Sequence, residues 1–187
     1  MIKALTILTA ALAASLSMTA VAAPGAGMTG LPFREAMVQA HNAARARYGL
    51  APLAWSDELA AEAAGRAAMI ARMADPLSAH ERGEAGGGKP RGENLWLGTR
   101  GAFSFDEMAQ GWLEEQADFV NGVFPRVSRT GDWADVGHYT QMIWPATAHV
   151  GCAIASNAEF DLLICRYDPP GNVMGRQVLS GRAIAAR

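Results

Sequence analysis

The chain of 187 residues carries 16 basic and 18 acidic residues, a formal net charge of −2, and half of its residues are hydrophobic. This balance excludes the basic face that a nucleic-acid-binding domain requires, and it supplies enough apolar residues for a folded core. After the N-terminal region, no stretch of the sequence is long and apolar enough to predict a transmembrane helix.

The N-terminus has the pattern of a secretory signal peptide. Lys3 gives a positive start, residues 4–20 form an apolar run, and Ala20-Val21-Ala22 fits the small-residue cleavage pattern. An uncleaved anchor helix is the alternative, although the run is short and rich in small polar residues. Export predicts a product in the periplasm or outside the cell. The chain then divides into a signal peptide at 1–22, a Gly- and Pro-rich linker at 23–31 and one domain at 32–187.

The two cysteines, Cys152 and Cys165, both follow the signal peptide. In an oxidising compartment an even pair favours one disulfide. A free buried pair is the alternative. Two thiolates alone make a poor zinc site, so we expect no zinc bound by cysteine.

Apolar spacing predicts three helices. The first covers 32–48 and stops at Gly49. The second is capped by Ser56 and runs through 59–73. The third begins at the capping-box sequence 104–107, in which a serine is followed three residues later by a glutamate.

A carboxylate interrupts the apolar face of the third helix. Met108, Trp112 and Phe119 lie at positions i, i+4 and i+11, and Glu115 occupies the missing i+7 position. An inward carboxylate requires partners, because an unpaired buried charge is costly. The alternative is a glutamate that reaches solvent at the rim of the face. The neighbouring Glu114 points about 100° around the helix.

The remaining segments predict strands and loops. Alternation over 149–155 and 161–167 predicts an antiparallel hairpin, and 93–97 predicts a short strand. The segments 78–91 and 121–136 are predicted loops, and 168–172 is a turn that closes the sheet. The three glycines at 86–88 could suggest a phosphate cradle, but no Lys-Ser/Thr pair of a P-loop follows them and no strand precedes them.

Histidines and carboxylates are the candidate functional groups. His138 begins the apolar and aromatic run 138–144, and His80 lies in a polar loop. Together with Glu93 and Glu115 they form a set of two imidazoles and two carboxylates drawn from four places. His41 lies near the packing face of the first helix and is interpreted as a satisfied core group, while His149 is expected to be exposed.

Four sequence pieces, in order, resemble the CAP superfamily of cysteine-rich secretory proteins, insect venom allergens and plant pathogenesis-related proteins. They are His41-Asn42-x-x-Arg45, Gly92-Glu93-Asn94-Leu95, Gly137-His138-Tyr139-Thr140-Gln141-Met142-Ile143-Trp144 and Cys165-Arg166-Tyr167-Asp168-Pro169-Pro170-Gly171-Asn172. The chain resembles a bacterial-type, single-domain member. The resemblance implies an α+β fold, an α-β-α sandwich with a mostly antiparallel sheet and helices on both faces.

The resemblance also implies a cleft lined by His80, Glu93, Glu115 and His138, with the two histidines holding a divalent cation such as Zn²⁺. Cys152 and Cys165 look like one of the family's disulfides. The remaining motif residues are expected to be structural: His41, Asn42, Arg45, Tyr139, Gln141, Tyr167 and Asn172.

Three functions fit this set of residues. We favour a binding module, and the resemblance implies a lipid, sterol or extracellular glycan as its ligand. The alternative is a metal-dependent, peptidase-like hydrolase that uses the same cleft, with a metal-bound water and a glutamate base. A purely structural or stress-related secreted protein is the third. A covalent mechanism has no support in the sequence, because the Gly-x-Ser-x-Gly motif is absent.

Overall fold

The computed structural model describes residues 31–73 and 89–180, which contain four α-helices and four strands. The predicted signal peptide and nearly all of the linker lie outside the described residues. Two short 3₁₀ helices, Glu115–Ala117 and Trp133–Val136, precede the last α-helix. The elements are α1 (Phe33–Ala46), β1 (Ala54–Trp55), α2 (Asp57–Ile70), β2 (Gly92–Thr99), α3 (Phe105–Glu114), α4 (Gly137–Met142), β3 (His149–Ser156) and β4 (Phe160–Asp168).

The predicted signals for helix starts and stops are present. The hydroxyl of Ser56 accepts a hydrogen bond from the Leu59 N–H at 3.2 Å, which caps α2. Ser104 and Glu107 form the complete capping box at the start of α3. Gly49 has φ of 63° just after α1, a conformation in which a side chain would be strained. Local sequence therefore determines where α2 and α3 begin and where α1 ends.

The strands form one mixed sheet in the order β1-β3-β4-β2. β3 pairs antiparallel with β4, β4 pairs antiparallel with β2, and the two-residue β1 runs parallel to β3. The predicted hairpin is confirmed. The predicted short strand at 93–97 is longer than expected, because all of β2 pairs with β4.

Helices cover both faces of the sheet, as expected for an α-β-α sandwich. Leu162 and Ile164 of β4 pack against the small residues Ala63 and Ala67 of α2 on one face. The alternate residues of β4 point to the other face, where they pack against α1 and α3. This second core contains Met37, Met108, Trp112, Val150, Cys152, Leu163, Cys165 and Tyr167.

Gly151 of β3 allows α2 to approach the sheet closely. A Cβ atom at this position would lie 2.3 Å from the Ala60 nitrogen and 2.5 Å from the Ser56 carbonyl oxygen. Both of those atoms are backbone atoms of the capped first turn of α2. A side chain at position 151 would therefore displace the start of the helix.

Cys152 and Cys165 form a disulfide across the hairpin. The two residues are direct partners in the β3–β4 register, and their Cα atoms are 4.0 Å apart. Both side chains are buried in the core beneath α1 and α3. The expected bridge is confirmed, and the alternative of a free pair is wrong.

Two local predictions differ from the structure. The third helix was expected to carry Phe119 on its apolar face, but α3 ends at Glu114 and continues as a 3₁₀ turn. Phe119 is still buried, in a separate cluster with Tyr139 and Ile143. The region 137–142 forms the short helix α4, for which the sequence analysis gave no secondary structure.

His41 is a core group of α1, as expected. Its Nδ1 donates to the Met37 carbonyl at 2.6 Å, and its Nε2 accepts from the Tyr167 hydroxyl at 2.8 Å. The carbonyl only accepts, so in the neutral ring Nδ1 carries the proton and Nε2 is left to accept from the tyrosine hydroxyl. Burial, with a smaller contribution from the charge of Arg45, lowers the pKa of His41 from 6.5 to about 4.

We predict that His41 makes the protein less stable in acid. Because its pKa is lower in the folded protein, the unfolded chain binds the proton more tightly. The contribution of His41 is complete above pH 6.5 and is lost as the pH falls towards 4. Between pH 7 and 4.5 the loss should reach about 2–3 kcal/mol in urea unfolding. His41→Gln should reduce this loss, whereas the exposed-site control His149→Gln should not; equal losses in both variants would contradict the assignment.

Candidate functional site

The site is built around α4, a six-residue helix whose position is determined by side chains from distant parts of the chain. The amide of Asn94 in β2 donates to the His138 carbonyl at 3.1 Å. The amide of Asn172 donates to the Gly137 carbonyl at 2.8 Å, and its oxygen accepts from Thr140 at 2.8 Å. A helix this short is not stable alone, so these bonds determine where it lies.

Gln141 connects α4 to the segment after β4. Its amide oxygen accepts from the Gly171 N–H at 2.8 Å, and its amide nitrogen donates to the Thr147 hydroxyl at 3.3 Å. Gly92 of β2 leaves room for this side chain, since a Cβ there would meet the Gln141 amide oxygen. The side chain is therefore enclosed between β2 and the turn.

Arg45 of α1 holds the other end of α4. Its buried guanidinium donates to the carbonyls of Met142 at 3.0 Å, Trp144 at 2.8 Å and Thr147 at 3.1 Å, and its Nε donates to the Ala51 carbonyl at 2.7 Å. Burial lowers the pKa of Arg45 to about 10, so the side chain remains a cation at neutral pH. Asn42, one turn earlier, exchanges hydrogen bonds with the backbone of Leu53.

His138 and Glu115 form a close pair at the start of α4. The Nδ1 of His138 lies 2.5 Å from the Oε1 of Glu115, and Oε2 accepts from the Tyr139 N–H at 2.9 Å. The imidazole stacks on Trp112, with ring centroids 5.9 Å apart and an angle of 18° between the planes. The side chains of His138 and Glu115 are 26% and 16% exposed.

This geometry orients the imidazole. A carboxylate only accepts hydrogen bonds, so Nδ1 carries the ring proton in neutral His138 and Nε2 carries the lone pair. A histidine held in this way by a carboxylate has the arrangement of a metal ligand or a general base. Glu115 lies just past the end of α3, yet its side chain points inward, as the helix-face argument predicted.

Glu93 occupies a different environment. It lies in β2 opposite Arg166, on the sheet face that α2 covers, and its Oε2 is 3.3 Å from both Arg66 and Arg166. The adjacent Asn94 points to the other face and reaches α4. The described contacts thus bring Glu115 and His138 together and place Glu93 between two guanidinium groups.

His80, the fourth candidate, lies outside the described residues. Within residues 31–73 and 89–180, no three His, Cys, Asp or Glu side chains gather closely enough to hold a metal ion. None of the helices in that part of the chain has the length and apolar character needed to span a bilayer.

A groove of about 320 Å³ lies between α1 and α3, away from the His138–Glu115 pair. Apolar side chains form most of its wall, and two carboxamides and one carboxylate complete it. No sequence pattern predicted this groove. The alanines that recur along one face of α1 are the sequence feature that corresponds to it. The lining residues are Leu31, Ala36, Gln39, Ala40, Ala43, Asp106, Gln110 and Leu113.

Known proteins are similar to this chain in sequence. The model of the cysteine-rich secretory protein family, CAP, matches residues 38–167. Pathogenesis-related protein 1C of Nicotiana tabacum is 36% identical over 141 residues, covering 74% of this chain and 76% of the relative. Pathogenesis-related protein 1 of Arabidopsis thaliana is 34% identical over 142 residues, covering 72% and 75%.

Solved structures agree in fold. The structure described as NaASP2 with Zn²⁺ has a TM-score of 0.61 at 20% identity and covers 84% of this chain and 89% of its own. Venom allergen-like protein 4 of Schistosoma mansoni has a TM-score of 0.55 at 20% identity, with 81% and 97% covered. The sandwich, the motif residues around α4 and these matches lead to one conclusion: the chain belongs to the CAP family of cysteine-rich secretory proteins.

Proposed function

We propose that this protein is a secreted or periplasmic binding module that holds a single-chain lipid in the groove between α1 and α3. The groove is the observation that carries the proposal. Its volume of about 320 Å³ falls at the lower end of the range of about 300–1,000 Å³ for small-molecule sites. This size favours one flexible acyl chain over a larger, rigid sterol or an extended glycan.

The composition of the groove suits an amphiphile. The side chains of Ala40, Ala43 and Leu113 give an apolar surface along the seam between the helices, and Gln39 and Gln110 offer amides beside it. An acyl chain is held by removal of apolar area from water, and a polar head group is held by hydrogen bonds. The described lining residues thus offer amides and one carboxylate beside an apolar surface, which suits binding of an amphiphile.

The groove depends on small residues, which gives a direct test. We predict that Ala43→Phe fills the groove and weakens binding of the neutral fluorescent probe dansyl-dodecylamide by about tenfold, because the chain loses its contact surface. Ala46→Phe is the matched control, since Ala46 is also an exposed alanine of α1 but does not line the groove. Fluorescence titration measures both affinities.

Equal probe binding by Ala43→Phe and the unmodified protein would refute the groove as the lipid site. Competition with cholesterol and with soluble glycans in the same assay identifies the ligand class. Displacement by a glycan, with no displacement by single-chain lipids, would replace the lipid proposal.

A second candidate function is a cation site, which the His138–Glu115 pair supports. The donor set fits in part: Glu115 orients the imidazole so that the lone pair of Nε2 is its metal-binding donor, and His80 would provide the second imidazole. The resemblance also implies Glu93, although its described contacts are with Arg66 and Arg166 on the sheet face that α2 covers. A bound divalent cation would supply Lewis-acid chemistry, which is the basis of the hydrolase alternative.

For this candidate we predict that Glu115→Leu weakens calorimetric zinc binding by about tenfold or more, because the imidazole loses its orienting carboxylate. Glu114→Leu is the control, since Glu114 is the exposed neighbour of Glu115. His138→Ala should abolish binding. Unchanged zinc affinity in Glu115→Leu would place this carboxylate outside the site. If the unmodified protein binds no zinc, the cation site and the metal-dependent hydrolase are both wrong.

A further inference from the structure

The groove between α1 and α3 carries an uneven distribution of charge. Among the described lining residues, Asp106 is the one charged side chain, and none is basic. We propose that the groove selects amphiphiles with a cationic, ammonium-type head group, and that Asp106 determines this selectivity. The inference rests on the proposed function, because it specifies the ligand class of the same groove.

Contacts at the two ends of the groove show how a ligand would lie. Phe33 and Phe105, the first residues of α1 and α3, stack edge to face with centroids 5.2 Å apart. At the other end, Arg47 donates to Gln116 at 2.6 Å. The two helices therefore run in the same direction, with both N-termini at the Phe33–Phe105 end.

Asp106 lies at this N-terminal end, and the apolar Leu113 lies farther along the seam. Seven residues separate them on α3, which is roughly 10 Å at 1.5 Å per residue. The groove thus carries its charge at the end that Leu31 and Ala36 also line, and the other end, at Ala43 and Leu113, is apolar. A head group is expected beside Asp106, and the chain is expected to extend towards Ala43 and Leu113.

The neighbouring basic residues do not neutralise Asp106. Arg34 lies over the Trp55 ring, 5.4 Å from its centroid, and its other contact is with Asp57. Arg47 contacts Gln116 at the far end of the groove. Two further carboxylates, Glu35 in the first turn of α1 and Glu107 in the first turn of α3, add negative charge near this end.

The dipoles of α1 and α3, whose N-termini both lie at this end, act in the opposite direction but together are smaller than the charge of the three carboxylates. A helix N-terminus is equivalent to roughly half a positive charge. The first turn of α3 already contains two carboxylates, Asp106 and Glu107, and Ser104 occupies one of its N–H groups through the capping box. The net charge at this end is therefore negative, which repels a carboxylate or phosphate head group.

A primary ammonium group matches the available acceptors. It has three N–H donors. The groove offers three acceptor groups, which are the Asp106 carboxylate and the side-chain carbonyls of Gln39 and Gln110. A fatty carboxylate would have only the two carboxamides as hydrogen-bond donors and would face a like charge. The groove thus favours the cation through both charge and hydrogen bonding.

The test is a competition experiment with two head groups on the same chain. Dodecylammonium and dodecanoate, each below its micelle concentration, displace dansyl-dodecylamide from the purified protein. Solvent-exposed charge pairs contribute modestly, so we expect dodecylammonium to bind roughly threefold to tenfold more tightly, with the difference shrinking in high salt. Asp106→Asn should abolish the preference.

Glu35→Gln is the matched control, because it also removes one first-turn carboxylate but does not line the groove. This variant should retain the preference, which separates the effect of Asp106 from that of net charge. Equal affinity for the two competitors, tighter binding of dodecanoate, or an unchanged preference in Asp106→Asn overturns the inference. The proposed function is retained after those results if Ala43→Phe still weakens binding of the neutral probe. If Ala43→Phe has no effect, the proposed lipid site and the head-group selectivity are both wrong.

Discussion

The contacts of the Arg45 guanidinium support much of this structure. The last carbonyls of a helix have no partners within it, so their burial is costly unless other groups donate to them. In addition, α4 is too short to be stable alone. Arg45 meets this requirement at the Met142 carbonyl and extends the same cation to the carbonyls of Trp144 and Thr147, just after the helix, and of Ala51. Burying a cation costs several kcal/mol, and charge-assisted bonds of about 1.5–3 kcal/mol each offset that cost. Removing the side chain would leave several buried carbonyls without donors.

This interaction makes α1 the central element of both candidate sites. Its C-terminal half carries Arg45, which fixes α4 and with it the position of His138. Another face of the same helix forms a wall of the groove with Ala36, Ala40 and Ala43. The two sites therefore share a rigid helix that is also anchored to the sheet, because the buried His41 bonds to Tyr167. Changes at either site that leave α1 in place should not disturb the other site.

The sequence predicted the features that depend on local chemistry. Caps at Ser56 and Ser104, the alternating hairpin and its disulfide all follow from residues close in sequence or from the pairing of two adjacent strands. The inward direction of Glu115 followed from the apolar spacing around it. Features that depend on distant residues were not predicted. α4 has no strong local signal, because Arg45, Asn94 and Asn172 hold it from elsewhere in the chain. The groove depends on the distance between α1 and α3, and the apolar pattern within each helix does not predict that distance.

The most direct test of the role of Arg45 is amide hydrogen exchange in Arg45→Lys. Lysine keeps the charge, but its single ammonium group does not reach carbonyls on so many sides. We predict that the α4 amides of Gln141 and Met142 exchange at least about tenfold faster, a change of about 1.4 kcal/mol, and that this increase exceeds any in β4. Arg47→Lys, at an exposed position of the same helix end, should leave α4 protected. Equal acceleration in α4 and β4, or no acceleration in α4, would contradict the claim that Arg45 holds this helix in place.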